Sequence, residues 1–166
     1  MIEALFHGKR KDNDEWVDGY YCVFDGVSHR IYTGYAETDC GEYYPDCYEV
    51  IPETVGQYTE LTDKNGKKIY EGDIVKMLDY QTGVVTYEFG AFGINVITGI
   101  DYDYLDSEIA EVTGCNNCSY FCRSDNFISL YELMWNYNQE NDNCDVVEVI
   151  GNIYDNSELM KGEEKR

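Results

Sequence analysis

The chain has 166 residues, 43% hydrophobic and 15% aromatic, enough apolar surface for a packed core and too much for a disordered tract. Lys and Arg number 12 against 33 Asp and Glu; a net charge of −21 argues against direct binding to nucleic acid or anionic membrane and favours basic partners. No run of about 18 apolar residues is present, and the opening MIEALFHGKRKDNDEW lacks a signal-peptide apolar region. The expectation is therefore a cytoplasmic protein, in which seven cysteines read as thiols or metal ligands rather than a disulfide framework.

In chain order, Asp12-Asn13-Asp14 breaks LFHGKR from WVDGYYCVF. There Tyr20, Cys22 and Phe24 alternate with Tyr21 and Val23, a strand with substance on both faces. A second strand is predicted over His29 to Tyr35, a loop over Ala36 to Asp46 from its Asp, Gly and Pro content, and a short strand over Tyr48 to Ile51. The stretch GQYTELTDKNGKKIYEGDIV holds two turn signals. Asn65-Gly66 suits positive φ at both turn positions and joins Tyr58–Leu61 to Lys68–Tyr70. Glu71-Gly72-Asp73 leads into Ile74–Leu78, Gly83 precedes Val84–Phe89, and Gly90 and Gly93 bracket a corner before Ile94–Ile97. Short strands with turns every eight to twelve residues predict a mainly β (α+β) fold, with a small SH3-like barrel or antiparallel sheets.

Residues 99–126 are acidic, contain three close cysteines, and read as an insertion. One main helix is predicted over 127–140, N-capped by Ser124 or Asp125, with Phe127, Leu130, Tyr131 and Met134 as its stripe. Val146 to Tyr154 closes the fold as a strand. The organisation is thus an N-terminal β segment (1–55), a barrel-like core (56–98 with 145–156), the insertion and the helix.

Charge is uneven along the chain. Residues 1–76 carry 8 Lys/Arg against 16 Asp/Glu, whereas residues 77–160 carry only Arg123 against 15 Asp/Glu. Asp101, Asp103, Asp106, Glu108 and Glu111 are accordingly the candidate surface for a basic partner. They lack the Gly and bidentate Glu positions of a calcium loop, so a solvated acidic face outweighs a Ca²⁺ or Mg²⁺ site. Cys115, Cys118 and Cys122 have C-x2-C-x3-C spacing, a candidate structural zinc site with Cys144, Cys40 or Cys47 as fourth ligand; free thiols are the competing reading. The only histidines are His7 and His29, and neighbouring Ser28 and His29 face opposite ways on a strand, against nucleophilic catalysis. Tyr20, Tyr21, Tyr32, Tyr35, Tyr43, Tyr44 and Tyr48 concentrate in the first third with Arg10, Lys11 and Arg30. Of these, Arg30, Tyr32 and Tyr35 are the candidate nucleotide contacts, although tyrosines of this kind are more often sheet surface or subunit contacts.

The blocks ALFHGKRKDNDEWVDGYY, YEVIPETVGQYTELTDKNGKKIYEGDIVK, GVVTYEFGAFGI and VEVIGNIYDNSEL resemble the YopX family of phage and prophage proteins. His7 stands where that pattern often has Arg, and Asp14 and Glu60 where it usually has Gly. The resemblance implies a mostly β protein with a few helices, made in a phage-infected or lysogenic bacterium and prone to homo-oligomerise. It brings no catalytic residues. No enzymatic activity is expected; an acidic, nucleic-acid-mimicking inhibitor of a basic, nucleic-acid-binding host protein is the first expectation. An oligomeric sponge for a nucleotide immune signal is the second, and a structural oligomeric phage protein the third.

Overall fold

The computed structural model describes residues 5–37, 39–78, 80–113, 124–137, 143–144 and 146–161. The fold is mainly β, and the chain divides into two compact units, Met1–Tyr58 and Thr59–Arg166.

The first unit contains β1 (Phe6–Lys9), β2 (Trp16–Phe24), β3 (Ser28–Glu37), β4 (Tyr43–Glu49) and the start of β5 (Gly56–Asp63). They pair antiparallel in the order β5-β1-β2-β3-β4, with Phe6 opposite both Gly19 and Gln57, Tyr21 opposite Ile31, and Ile31 opposite Tyr48. Ile31 and Val50 are fully buried, and Gly8 and Gly19 are small enough to let the strands close over them. A Cβ on Gly19 would lie 2.0 Å from the Tyr32 carbonyl oxygen, so that position admits glycine alone. Behind β1, the Thr54 hydroxyl accepts the Lys9 N–H and donates to the Ile51 carbonyl.

The loop expected over 36–46 is a correction: β3 runs to Glu37 and β4 starts at Tyr43. Pro45 is compatible with this strand because β4 is the edge. Val50 donates inward to the His29 carbonyl, so by strand alternation the odd-numbered N–H positions, including the one Pro45 lacks, point outward.

In the second unit, the end of β5 pairs with β6 (Lys68–Tyr70) and, in parallel, with β11 (Asn143–Cys144). The 63–67 turn is built differently from the paired positive φ expected at Asn65-Gly66. Only Gly66 is left-handed, at φ 77°, and the Gly66 N–H donates to the Asp63 carbonyl. Asp63 is 1% exposed, and its carboxylate accepts the N–H groups of Asn65, Lys67 and Val149, pinning the turn to the last strand.

The second sheet has the order β10-β9-β8-β7-β12: β10 (Phe127–Ser129), β9 (Ala91–Val96), β8 (Gln81–Glu88), β7 (Asp73–Met77) and β12 (Val147–Asn152). β7, β8 and β9 are the expected meander. Phe89 (φ 53°) and Gly90 (φ 81°) make the two-residue corner between Glu88 and Ala91, whereas Gly93 is no corner. It lies inside β9, where a Cβ would sit 2.2 Å from the Phe127 ring.

The expected SH3-like barrel is a correction. Among the described residues no ladder joins β10 to β12, and the sheet stays open. Its apolar face is covered by helices instead: Leu105 of α1 (Tyr102–Thr113) and Leu130 and Leu133 of α2 (Leu130–Tyr137) share one core with Val85, Ile94 and Val96. Covering a face this way removes the need to curl the sheet.

The helix expected over 127–140 is α2, which is shorter at its start because Phe127–Ser129 pair with β9. Ser124 caps a turn there, accepting from Asn126 and Phe127, and Ser129 accepts from Glu132 at the head of the helix. The segment read as an acidic insertion holds α1.

Candidate functional site

Two surfaces carry the candidate residues. In the first unit, the register of β2, β3 and β4 places Arg30 opposite Cys22 and Glu49, and Tyr32 opposite Tyr20 and Cys47. With alternation, Tyr20, Cys22, Phe24, Arg30, Tyr32, Cys47 and Glu49 share one face of the sheet, opposite to the face of Ile31, and Glu49 adds a carboxylate beside Arg30. Tyr20 is 54% and Phe24 47% exposed, and the Phe24 and Tyr32 rings lie 6.2 Å apart. The Arg30 guanidinium donates to Ser28 Oγ at 3.2 Å and to Cys47 Sγ at 3.7 Å, and among the described residues it makes no salt bridge. Cys47 beside it holds Arg30 above its ordinary pKa, so the group stays cationic. Burial, helped by Cys22, raises the Tyr32 phenol, so that ring is neutral across the physiological range.

Tyr35 lies further along β3 opposite Pro45, past the bulge between Tyr32 and Gly34, and is 77% exposed. The structure therefore brings Arg30 and Tyr32 together and leaves Tyr35 as an outlying ring. Tyr20, one of the tyrosines expected beside the cations, completes the face from β2 with Cys22 and Phe24, and Cys47 joins it from β4. Phe24, Cys22 and Cys47 were not expected there, and alternation was the sequence signal for the β2 pair.

At the edge of β4, Lys11, Asp12, Cys47, Tyr48 and Glu49 line an open depression of about 290 Å³. Its charges are internally paired. Lys11 bridges to Glu49 at 2.5 Å, and Arg10 binds both Asp12 oxygens while lying over the Tyr48 ring, 4.0 Å from its centroid. The Lys11 hydrogen bond lowers the Glu49 pKa, and the Arg10 hydrogen bond lowers that of Asp12. The depression is at the small end of the range for small-molecule pockets, so the neighbouring face works as a surface rather than an enclosure. Ser28 and His29 do not converge: Ser28 accepts from Arg30, while His29 Nδ1 shares a hydrogen bond with the Tyr21 hydroxyl on the other face.

In the second unit, Asp101 is the N-cap of α1. Its Oδ1 accepts the Tyr104 N–H, and the Tyr80 hydroxyl donates to its Oδ2. Helix positions 103, 106 and 108 fan over roughly 200° at about 100° per residue. With Asp101 at the cap, these carboxylate residues are therefore gathered at one helix but not on one of its faces, and Glu111 belongs to the same helix. Nearby, α1 packs on α2, whose Tyr131 and Trp135 are 60% and 54% exposed.

Cys115, Cys118 and Cys122 lie outside the described residues. Of the suggested fourth ligands, Cys40 is exposed and Cys47 belongs to the face just described. Among the described residues, no three His, Cys, Asp or Glu side chains converge as a metal site, and no helix is long and apolar enough to cross a membrane.

Fold and surfaces together define a mainly β protein of two units, with an aromatic-cationic sheet face in one and an acidic helical surface in the other. The family model described as YopX protein matches residues 5–118, and the chain belongs to the YopX family. The match runs from β1 to beyond α1 and ends before the VEVIGNIYDNSEL block. No curated protein matches the chain.

Proposed function

We propose that the chain is a non-catalytic binding protein that acts in the cytoplasm of a phage-infected or lysogenic bacterium by occupying the basic surface of a nucleic-acid-binding host protein. Counter-defence or host takeover is the corresponding role. The observation that carries this reading is the charge of residues 77–160, one arginine against 15 carboxylates. Such a surface steers a basic partner and repels nucleic acid itself. The spread of acidic positions around α1 favours a broad electrostatic match over a copied phosphate backbone.

The test converts Asp101, Asp103, Asp106, Glu108 and Glu111 to their amides and measures capture of basic proteins from host lysate, followed by association kinetics. Asn at 101 keeps the cap, so the helix should persist. Association should slow and its salt dependence flatten, because steering scales with charge and is screened beyond about 8 Å at physiological ionic strength. Unchanged kinetics in the variant would remove this reading.

A second reading is favoured by one observation: Arg30, which makes no salt bridge among the described residues, shares a face with Tyr20, Phe24 and Tyr32, with Glu49 opposite it. That set suits a planar anionic ligand such as a nucleotide, stacked on the rings with its phosphate on the guanidinium. Under it the protein is an oligomeric sponge. Truncating Arg30 or Tyr32 should abolish nucleotide binding, truncating the outlying Tyr35 should cost far less, the five amides should leave binding intact, and light scattering should show more than one copy per particle.

A further inference from the structure

α2 turns two sides to different environments. Leu130 and Leu133 are fully buried in the core, while Tyr131 and Trp135, one helical turn apart, are more than half exposed. Their ring centroids lie 6.3 Å apart with 22° between the planes, so the rings stack on each other with other ring surface open to solvent. Trp and Tyr are the residues most enriched at the energetic centres of interfaces, and here two of them are exposed side by side.

The setting selects the occupant. α1, packed against α2, carries exposed Asp103 and partly exposed Asp106 and Glu108; exposed Asp125 and half-buried Glu132 flank the start of α2. From residue 77 to residue 160 the only cation in the sequence is Arg123. Although the unit also carries Lys64, Lys67, Lys68, Lys76 and Lys161, the charge on α1 and at the start of α2 disfavours an anionic partner, whereas a cation drawn to these neighbouring elements gains from the open ring faces. Arginine fits better than lysine, because its planar guanidinium stacks on an aromatic ring and is more weakly hydrated.

We infer that Tyr131 and Trp135 form a docking site for arginine side chains of a basic protein segment. The inference rests on the acidic-binding reading and adds to it the place where the partner is anchored: charge brings the segment in, and the ring pair holds it.

The experiment titrates the full chain with an octa-arginine peptide from about 50 mM to about 500 mM salt, where the charge contribution is progressively screened. The two tryptophans allow site-resolved detection. The indole N–H resonance of Trp135 should move on binding, and that of Trp16 should stay. Trp135→Leu and Tyr131→Leu should each weaken binding about two- to fivefold at every salt concentration, the range expected of exposed cation–π contacts, without changing the slope of log affinity against log salt. Trp135→Phe should keep most of the affinity, and an octa-lysine peptide should bind more weakly than octa-arginine.

The five-amide variant should do the opposite of the Leu variants, flattening the slope while the Trp135 resonance still responds. If it flattens the slope but the Leu variants bind like the parent, the charge reading stands and the ring site falls. Affinity kept in Trp135→Leu but lost in Trp135→Ala would make the site an apolar one and overturn the arginine assignment. No binding of octa-arginine even at low salt would overturn the acidic reading and this inference with it.

Discussion

Glu60 adopts φ 68° and Asp14 φ 60°, the left-handed region that costs an L-residue roughly 1–2 kcal/mol. These are the two positions at which the sequence resemblance implies glycine. Glu60 is exposed, so Glu60→Gly loses little packing, relieves the strain and removes a negative charge. Its stability in urea should rise by about 1 kcal/mol after the extra chain entropy of glycine is subtracted. The gain at Asp14 should be smaller, because aspartate tolerates this region better. A loss of stability in Glu60→Gly would show that the carboxylate makes a compensating interaction. Asp63 is the opposite case, a buried carboxylate whose three backbone donors lie in the 63–67 turn and in β12. Asp63→Ala leaves those donors without their acceptor and should cost about 3 kcal/mol in the same urea experiment. A cost below a tenth of that would mean that water replaces the carboxylate without penalty.

The paired charges at the β4 edge give a pH dependence with a definite sign. The Asp12 and Glu49 pKa values are lowered by hydrogen bonds from Arg10 and Lys11, so the folded state binds their protons less readily than the unfolded state. Their stabilisation is complete above the ordinary values of 3.8 and 4.5 and is lost as pH falls through the lower folded values. Carboxyl-carbon NMR titration should therefore place both midpoints below those ordinary values, and Arg10→Ala should return Asp12 upward while leaving Glu49 in place.

At the scale of elements, α1 depends on its first residue. Asp101→Ala should destabilise the second unit by about 1 kcal/mol, whereas Asp101→Asn should be nearly neutral, since both parent and Asn cap a helix well. Helical circular dichroism and thermal melting of the two variants separate the cap from the charge. This helix was legible in the sequence: Tyr102, Leu105, Ile109 and Val112 recur at helical spacing behind a capping aspartate. Dense acidity and the cysteines that follow hid it.

Phe127-Ile128-Ser129 was not legible, because two apolar residues followed by a serine read equally as the start of a helix or as a strand, and only pairing with β9 decides. The 43–49 strand was hidden by Pro45, a residue acceptable on an outward-facing edge position and nowhere in the middle of a sheet. The candidate face followed the same logic. Arg30 and Tyr32 share a face by simple alternation, but the positions of Cys47 and Tyr20 beside Tyr32 follow from cross-strand register, which a single sequence does not encode.

For the whole molecule, like charges outnumber ion pairs. Residues 1–58 carry 4 Lys/Arg against 12 Asp/Glu, and residues 59–166 carry 8 against 21, so each unit repels itself. The salt bridges at Arg10–Asp12, Lys11–Glu49 and Lys64–Glu148 involve partly or largely exposed groups. Exposed pairs of that kind contribute about 0–1 kcal/mol each. Salt weakens both the bridges and the repulsion. With 33 carboxylates against 12 cations the repulsive pairs are more numerous, and they also act over longer distances, which screening removes first. Raising NaCl from about 20 mM to about 500 mM should therefore increase the thermal midpoint, by about 2–4 °C for each kcal/mol of repulsion relieved. A midpoint that falls steadily with salt would mean that the bridges outweigh the repulsion. On the proposed acidic-binding reading, the same titration opposes stability to binding: the low-salt condition that strains the fold most is the one in which a basic partner would be captured fastest. Amides at Asp103, Asp106 and Glu108, which leave the Asp101 cap in place, should accordingly stabilise the free protein and, on the proposed reading, slow its association with a basic partner.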